Sequence, residues 1–395
     1  MKNFIFISPN FPANYWKFCR ELKNNGFNVL GIGDCPYYNL SVELKTSLNE
    51  YYKVGSLENY DEVFRAVAFF SFKYGKIDYL ESNNEYWLER DAQLRAEFNI
   101  TTGFGIKDMK KVKYKSKMKT YYKKAGIPVA RHCLVRSPKM IEKFINEVGF
   151  PVIVKPDNGV GASATYKLSS AEELENFLKT KPKGYIMEEY LDGVVHSYDA
   201  IVDGNGEPVF ETGLVEMGDL MDIVNSNDNS CYYYLNNPLD DVRDAGRRTL
   251  KAFGVKNRFV HFEFFRLSRD QHIGKKGEIV ALEVNMRPAG GCSPDMMNYA
   301  NSTDVYKIWA DTLAYGSTLV EPQEKFYCAY AGRRNGKNFT YSEQDIVDRY
   351  RNNLKQIWHV PDALSNCMGN LSFIANFKTK EEMEEFVAEV VKENR

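Results

Sequence analysis

The chain has 395 residues, 44% of them hydrophobic and 14% aromatic, with 52 Lys and Arg against 53 Asp and Glu and a net charge of -1. That length holds about two to four compact units, and the balanced charge excludes a nucleic-acid binder that relies on a broad basic field, though not a local basic pocket for phosphates. Seven Cys without a C-x-x-C pair read as reduced thiols, the opening apolar run is too short for a signal peptide, and no stretch nears the ~20 apolar residues of a membrane span, so the expectation is a cytoplasmic protein that binds neither membrane nor nucleic acid.

The predicted elements begin with Phe4–Ile7, an apolar run stopped by Ser8-Pro9-Asn10, which reads as a buried strand into a turn. Tyr15, Phe18, Cys19 and Leu22 recur at helical spacing, so the spacing predicts a helix over 14–24, closed by Gly26. Asn28–Gly33 is the next strand, and this β-α-β opening implies a parallel sheet. A helix over 60–72, a strand over 77–80 and a helix over 84–98 complete a first α/β domain, residues 1–105.

Residues 110–124 predict a helix that runs up to Gly126, and a strand region opens at Pro128-Val129. Pro151–Pro156 is a strand ended by a glycine-bearing loop, 157–165. A helix over 172–178 has Ser169 or Ser170 as its N-cap. Tyr185–Leu191 is a strand into a hinge. Alternation predicts hairpins of 197–202 with 207–212 across Asp203-Gly204-Asn205-Gly206, and of 260–267 with 278–284. The tail mixes strand and helix and ends in an exposed charged helix, 379–394. The resulting divisions are 1–105, 106–190, 191–318 and 319–395.

Three elements carry chemistry. Lys155 at a strand end, followed by Gly159, Gly161 and Ser163, places an ammonium beside a loop whose N–H groups can close over an anion. The structural alternative is a glycine hairpin with a solvated Lys. Glu188-Glu189 at a strand-to-hinge junction presents a carboxylate and backbone groups to a planar ligand edge; the alternative is a solvated acidic pair. In the third, Glu263 sits between aromatics, and Glu283 and Asn285 share one face of an apolar strand. Such acids are costly to bury unpaired, and two carboxylates with an amide oxygen are the hard ligands magnesium prefers. Arg287, on the same face, suits a transferring phosphoryl group. The alternative is a buried Glu–Arg ion pair.

In this order and spacing, from about Lys115 to Arg287, the three elements resemble the ATP-grasp superfamily. The resemblance implies an ATP-grasp fold of α/β (α+β) class: an N-terminal Rossmann-like domain and two α+β subdomains that enclose the nucleotide. It implies that Lys115, or else Lys117, contacts phosphates, that Lys155 contacts phosphates and the adenine side, and that the glycine loop covers them. Glu188 would accept from the adenine amino group, with the Glu189 and Leu191 backbone completing adenine recognition. Glu263, Glu283 and Asn285 would hold magnesium, or manganese in its place, and Arg287 would act on the phosphoryl group. A ribose-binding Glu common in the family is replaced here by Val195, which passes the ribose contact to His196 or leaves it looser.

The implied reaction is phosphorylation of a carboxylate by ATP, followed by attack of an amine on the acyl phosphate. Partners would be small carboxylates and amines, and a homodimer is compatible with the reading. Substrate-end candidates are Glu85 after a strand of the first domain, the turn Gly290-Gly291, and Arg333 with Arg334 from the tail. Two further readings stand beside this one: modification of a peptide or protein side chain, and a non-catalytic nucleotide-binding regulator.

Overall fold

The computed structural model describes residues 1–159, 164–180, 182–218, 228–321 and 323–394. The opening apolar run is β1 (Asn3–Ile7), buried throughout. The helix Trp16–Asn24 follows and turns Phe18, Cys19 and Leu22 inward. With β2 (Asn28–Gly33), β3 (Glu50–Lys53) and β4 (Tyr79–Glu81), β1 forms a parallel sheet ordered β3-β2-β1-β4. The next helix, Leu88–Glu97, starts later than its periodicity predicts. Ser82 is tied through its N–H and hydroxyl to the Asp91 carboxylate, and Asn83 takes φ 51°, so the preceding residues form a loop.

The predicted helix over 110–124 is two helices, Ile106–Lys113 and Lys115–Lys124. The break has a tertiary cause: the Asp157 carboxylate accepts from the Ser116 N–H and hydroxyl, and the Asp157 carbonyl accepts from the Lys115 N–H. A distant residue therefore caps a new helix. At Pro128-Val129 there is only an isolated bridge from Val129 to Ala281. The small antiparallel sheet is β5 (His132–Leu134), β6 (Val152–Pro156), β7 (Tyr166–Leu168) and β8 (Tyr185–Glu189), ordered β5-β8-β6-β7. Ser170 caps the helix Ala171–Lys179.

The largest sheet has nine described strands: β9 (Gly193–Val202), β10 (Pro208–Thr212), β11 (Leu214–Glu216), β12 (Ser230–Tyr234), β13 (Arg258–Leu267), β14 (Ile279–Asn285), β15 (Tyr327–Arg333), β16 (Leu354–His359) and β17 (Leu371–Phe377). Both predicted hairpins are present, β9 with β10 and β13 with β14. The tail strands continue this same sheet, because β15 pairs with β12. The final helix, Lys380–Val390, is not wholly exposed: Met383, Phe386, Val387 and Val390 are buried, covering the apolar face that Ala329, Ala331 and Phe373 present. Among the described residues no helix is long and apolar enough to cross a membrane.

Candidate active site

Strand pairing builds the centre of the site. Ser197 lies opposite Glu263 and Glu263 opposite Glu283; Asp199 lies opposite His261 and His261 opposite Asn285. Residues two apart on a strand share a face, so these six side chains form one polar block across β9, β13 and β14. The other face carries buried Tyr198, Ala200, Phe262 and Phe264, part of an apolar core. Burying such a block is costly unless its members pair. They do: His261 Nδ1 is 2.8 Å from Asp199 Oδ1 and its Nε2 is 3.1 Å from Glu263 Oε1. Ser197 donates its hydroxyl to Asp199, which is fully buried.

A cavity of about 190 Å³ opens over this block, lined by Lys115, Lys155, Glu188, Glu263, Glu283 and Arg287 among others. Lys115, on the first turn of its helix, donates to the Glu283 carboxylate and the Gly159 carbonyl, both at 3.0 Å. Of the two candidate lysines, Lys115 is buried in the cavity wall and Lys117 is exposed. Glu188 holds two ammonium groups, Lys119 at 3.0 Å and Lys155 at 3.1 Å. Burial alone would raise the Glu188 carboxyl, but the two lysines overcome it and hold it at about 2. Burial lowers Lys119, against the pull of Glu188. Burial also works to lower Lys155, yet Glu188 and Glu283 together lift it above the usual lysine value.

The two glutamates of the polar block behave differently. Burial and the charge of Glu263 push Glu283 up, with Lys115 opposing. Burial acts to raise Glu263 too, but the His261 hydrogen bond holds it below the usual carboxylate value. Among the described residues no group of three His, Cys, Asp or Glu is placed to hold a metal ion. Glu263, Glu283 and the Asn285 amide line one side of the cavity, an oxygen set that would leave coordination places for phosphate oxygens and water, as magnesium requires. The chemistry fits: a divalent cation held by these oxygens would offset the Glu263 charge that, after burial, helps to raise Glu283. Arg287 donates to Asn285 Oδ1 at 3.3 Å, which fixes its guanidinium beside that set.

A carboxylate ligand is itself positioned by the groups behind it. Replacing Asp199 by Asn should therefore raise the magnesium needed to half-saturate nucleotide binding by about 10- to 100-fold, measured by calorimetry with a non-hydrolysable ATP analogue. An unchanged requirement would reduce the Asp199–His261 pair to sheet filling.

Several expected residues sit elsewhere. Val195 lines the cavity, and strand alternation turns His196 to the opposite face, where its Nδ1 is 3.2 Å from the Val194 carbonyl; the ribose assignment to His196 is corrected. Arg333 does not reach the cleft either. Its Nε donates to the Val390 carbonyl, and the guanidinium packs between Phe339 and Phe373 under the C-terminal helix. Arg334 is spent on the Asp228, Ser365 and Asn366 carbonyls. Glu85 is buried, 3.2 Å from Lys113 and 3.9 Å from Arg287, behind the cavity wall. Gly291 needs its glycine: φ is 62°, and a Cβ would meet Met368 at 2.8 Å. A Cβ at Gly290 would meet open space. Gly159 accepts from Lys115, while Gly161 and Ser163 lie outside the described residues. The Glu189 N–H donates to the Arg131 carbonyl, and its carboxylate accepts from the Arg131 N–H and guanidinium. Leu191 lines the cavity.

Sequence reasoning missed Lys119, Asp157, Asp199, Glu216 and His261. Only Lys119 left a usable signal, one helical turn after Lys115.

No family model matches the chain. Over 229 residues it is 26% identical to an L-arginine-specific L-amino acid ligase from Bacillus subtilis, covering 55% of this chain and 53% of the relative. The chain thus spans about half the length of that relative. An L-amino acid ligase structure from Bacillus licheniformis superposes with a TM-score of 0.71 at 15% identity, over 99% of this chain and 97% of that one. An N5-carboxyaminoimidazole synthetase from Staphylococcus aureus, solved with ADP, gives a TM-score of 0.71, 15% identity and the same two coverages. At such identities the likeness establishes a shared fold.

Proposed function

We propose that this chain, a member of the ATP-grasp superfamily by its fold and its sequence likeness, is an ATP- and magnesium-dependent ligase that joins a small carboxylate of amino-acid type to an amine through an acyl phosphate. The observation that carries this reading is the convergence on one cavity of Glu263, Glu283 and Asn285 with Lys115, Lys155 and Arg287. Phosphoryl transfer needs positioning and charge neutralisation more than covalent help from the protein. Lys115 and Lys155 attract the phosphates, and Arg287 stabilises charge on the group in transit. Glu188, the Glu189 carbonyl and Leu191 form the adenine end. Magnesium, when bound to Glu263, Glu283 and Asn285, neutralises phosphate charge. Recessed in this cavity, an acyl phosphate is less accessible to water. The complete oxygen set weighs against a non-catalytic regulator.

The test is a panel of L-amino acids and simple carboxylates crossed with a panel of amines, read by phosphate release and then product mass. Release that depends on both substrates is expected. Background release with every pair, from a protein that binds Mg-ATP, would contradict the ligase reading.

A further inference from the structure

Amines are protonated at neutral pH, and an ammonium nitrogen has no lone pair with which to attack an acyl phosphate. A ligase therefore needs a proton acceptor in the cavity. Among the described residues five carboxylates line the cavity: Glu188, Glu189, Glu216, Glu263 and Glu283. Four are engaged. Lys119 and Lys155 hold Glu188, Arg131 holds Glu189 at 2.6 Å, His261 holds Glu263, and Lys115 holds Glu283.

Glu216 is different. It ends β11, the neighbour of β9 in the sheet, where Val215 lies opposite His196. Among the described residues it makes no ion pair. We propose that Glu216 is the general base that receives the proton of the attacking amine.

The inference rests on the ligase reading and specifies its nucleophile as an ammonium-bearing substrate. In the step, the ammonium gives one proton to the Glu216 carboxylate. The freed nitrogen attacks the carbonyl carbon of the acyl phosphate, and the carbon–oxygen bond to phosphate breaks as the carbon–nitrogen bond forms. The second nitrogen proton leaves with the phosphate as hydrogen phosphate, and the Glu216 carboxylic acid returns its proton to solvent. Burial and the nearby Glu263 push the Glu216 carboxyl up to about 8, against the pull of His261. The carboxylate form, a minority at neutral pH that grows as pH rises toward 8, is the one that accepts from an ammonium donor. Position supports the role too, since Glu216 shares the cavity wall with Arg287 and Glu263.

The test compares Glu216→Gln with wild type on two nucleophiles: the amine of a pair that wild type couples, and hydroxylamine, which is already unprotonated at neutral pH. The variant should lose about 100-fold or more of amide formation, the range of general-base catalysis. Its loss of hydroxamate formation should be at least about tenfold smaller. Glu216→Asp should recover part of the amide rate. Equal losses with both nucleophiles would assign Glu216 to structure or metal binding and overturn the proposal, as would an unimpaired amide rate. A wild-type protein that makes neither amide nor hydroxamate would instead fail the ligase reading and take this proposal with it.

Discussion

Glu283→Gln should lower turnover by about 10³-fold or more while leaving the fold intact. Glu283 sits opposite Glu263, accepts from Lys115 and contributes to the charge of Lys155. The amide keeps the shape and removes the charge, so both the metal site and the order of the lysines around it are weakened. Stability should move the other way. The Glu283 carboxyl is raised in the folded protein by burial first and by Glu263. An acid whose pKa is raised on folding makes its ionised form a burden at neutral pH. Without nucleotide, the variant should therefore melt at or above the wild-type temperature, a trade between stability and activity seen at functional sites. Phosphate release and thermal melting check the two halves. Normal turnover in the variant would overturn the assignment of the metal ligands.

Glu188→Ala should be the most destabilising single change at the site. It leaves Lys119 and Lys155, both buried, with no carboxylate between them. Breaking a buried ion pair by removing one partner costs about 3–5 kcal/mol. The same carboxylate shapes the acid limb of stability. Its folded value of about 2 lies below the ordinary 4.5. A depressed acid stabilises above its unfolded value and loses that contribution as pH falls through the folded one. The loss should run from about pH 5 to about pH 2 and amount to about 3 kcal/mol. Urea unfolding at neutral pH and near pH 3 should show a steep loss in wild type and a shallower one in Glu188→Ala. Matching acid limbs would mean that Glu188 does not govern this region.

Local pattern carried a good part of the architecture. Alternation with Asp203-Gly204-Asn205-Gly206 marked the β9–β10 hairpin, and period two put Glu283 and Asn285 on one face, where they stand. The same rule, applied to β9, turns His196 away once Val195 is known to face the cavity. What could not be read locally depends on partners distant in sequence. The helix break at Tyr114 exists because Asp157, just past β6, caps the following helix. His261 looks like one more polar residue in an aromatic strand until pairing brings Asp199 opposite it, 62 positions away. Arg333 was ambiguous because either face of β15 was open to it; the C-terminal helix and two phenylalanines hold it on the far one. Glu216 ends a three-residue strand, too short to reveal a period.

In the proposed ligase the carboxylate of the substrate, rather than water, takes the phosphoryl group from ATP. Coupling a carboxylate labelled with ¹⁸O to an amine tests it most directly, with the released phosphate read by mass spectrometry. Each phosphate is expected to carry one labelled oxygen from the carboxylate. Unlabelled phosphate, released together with ADP, would contradict it.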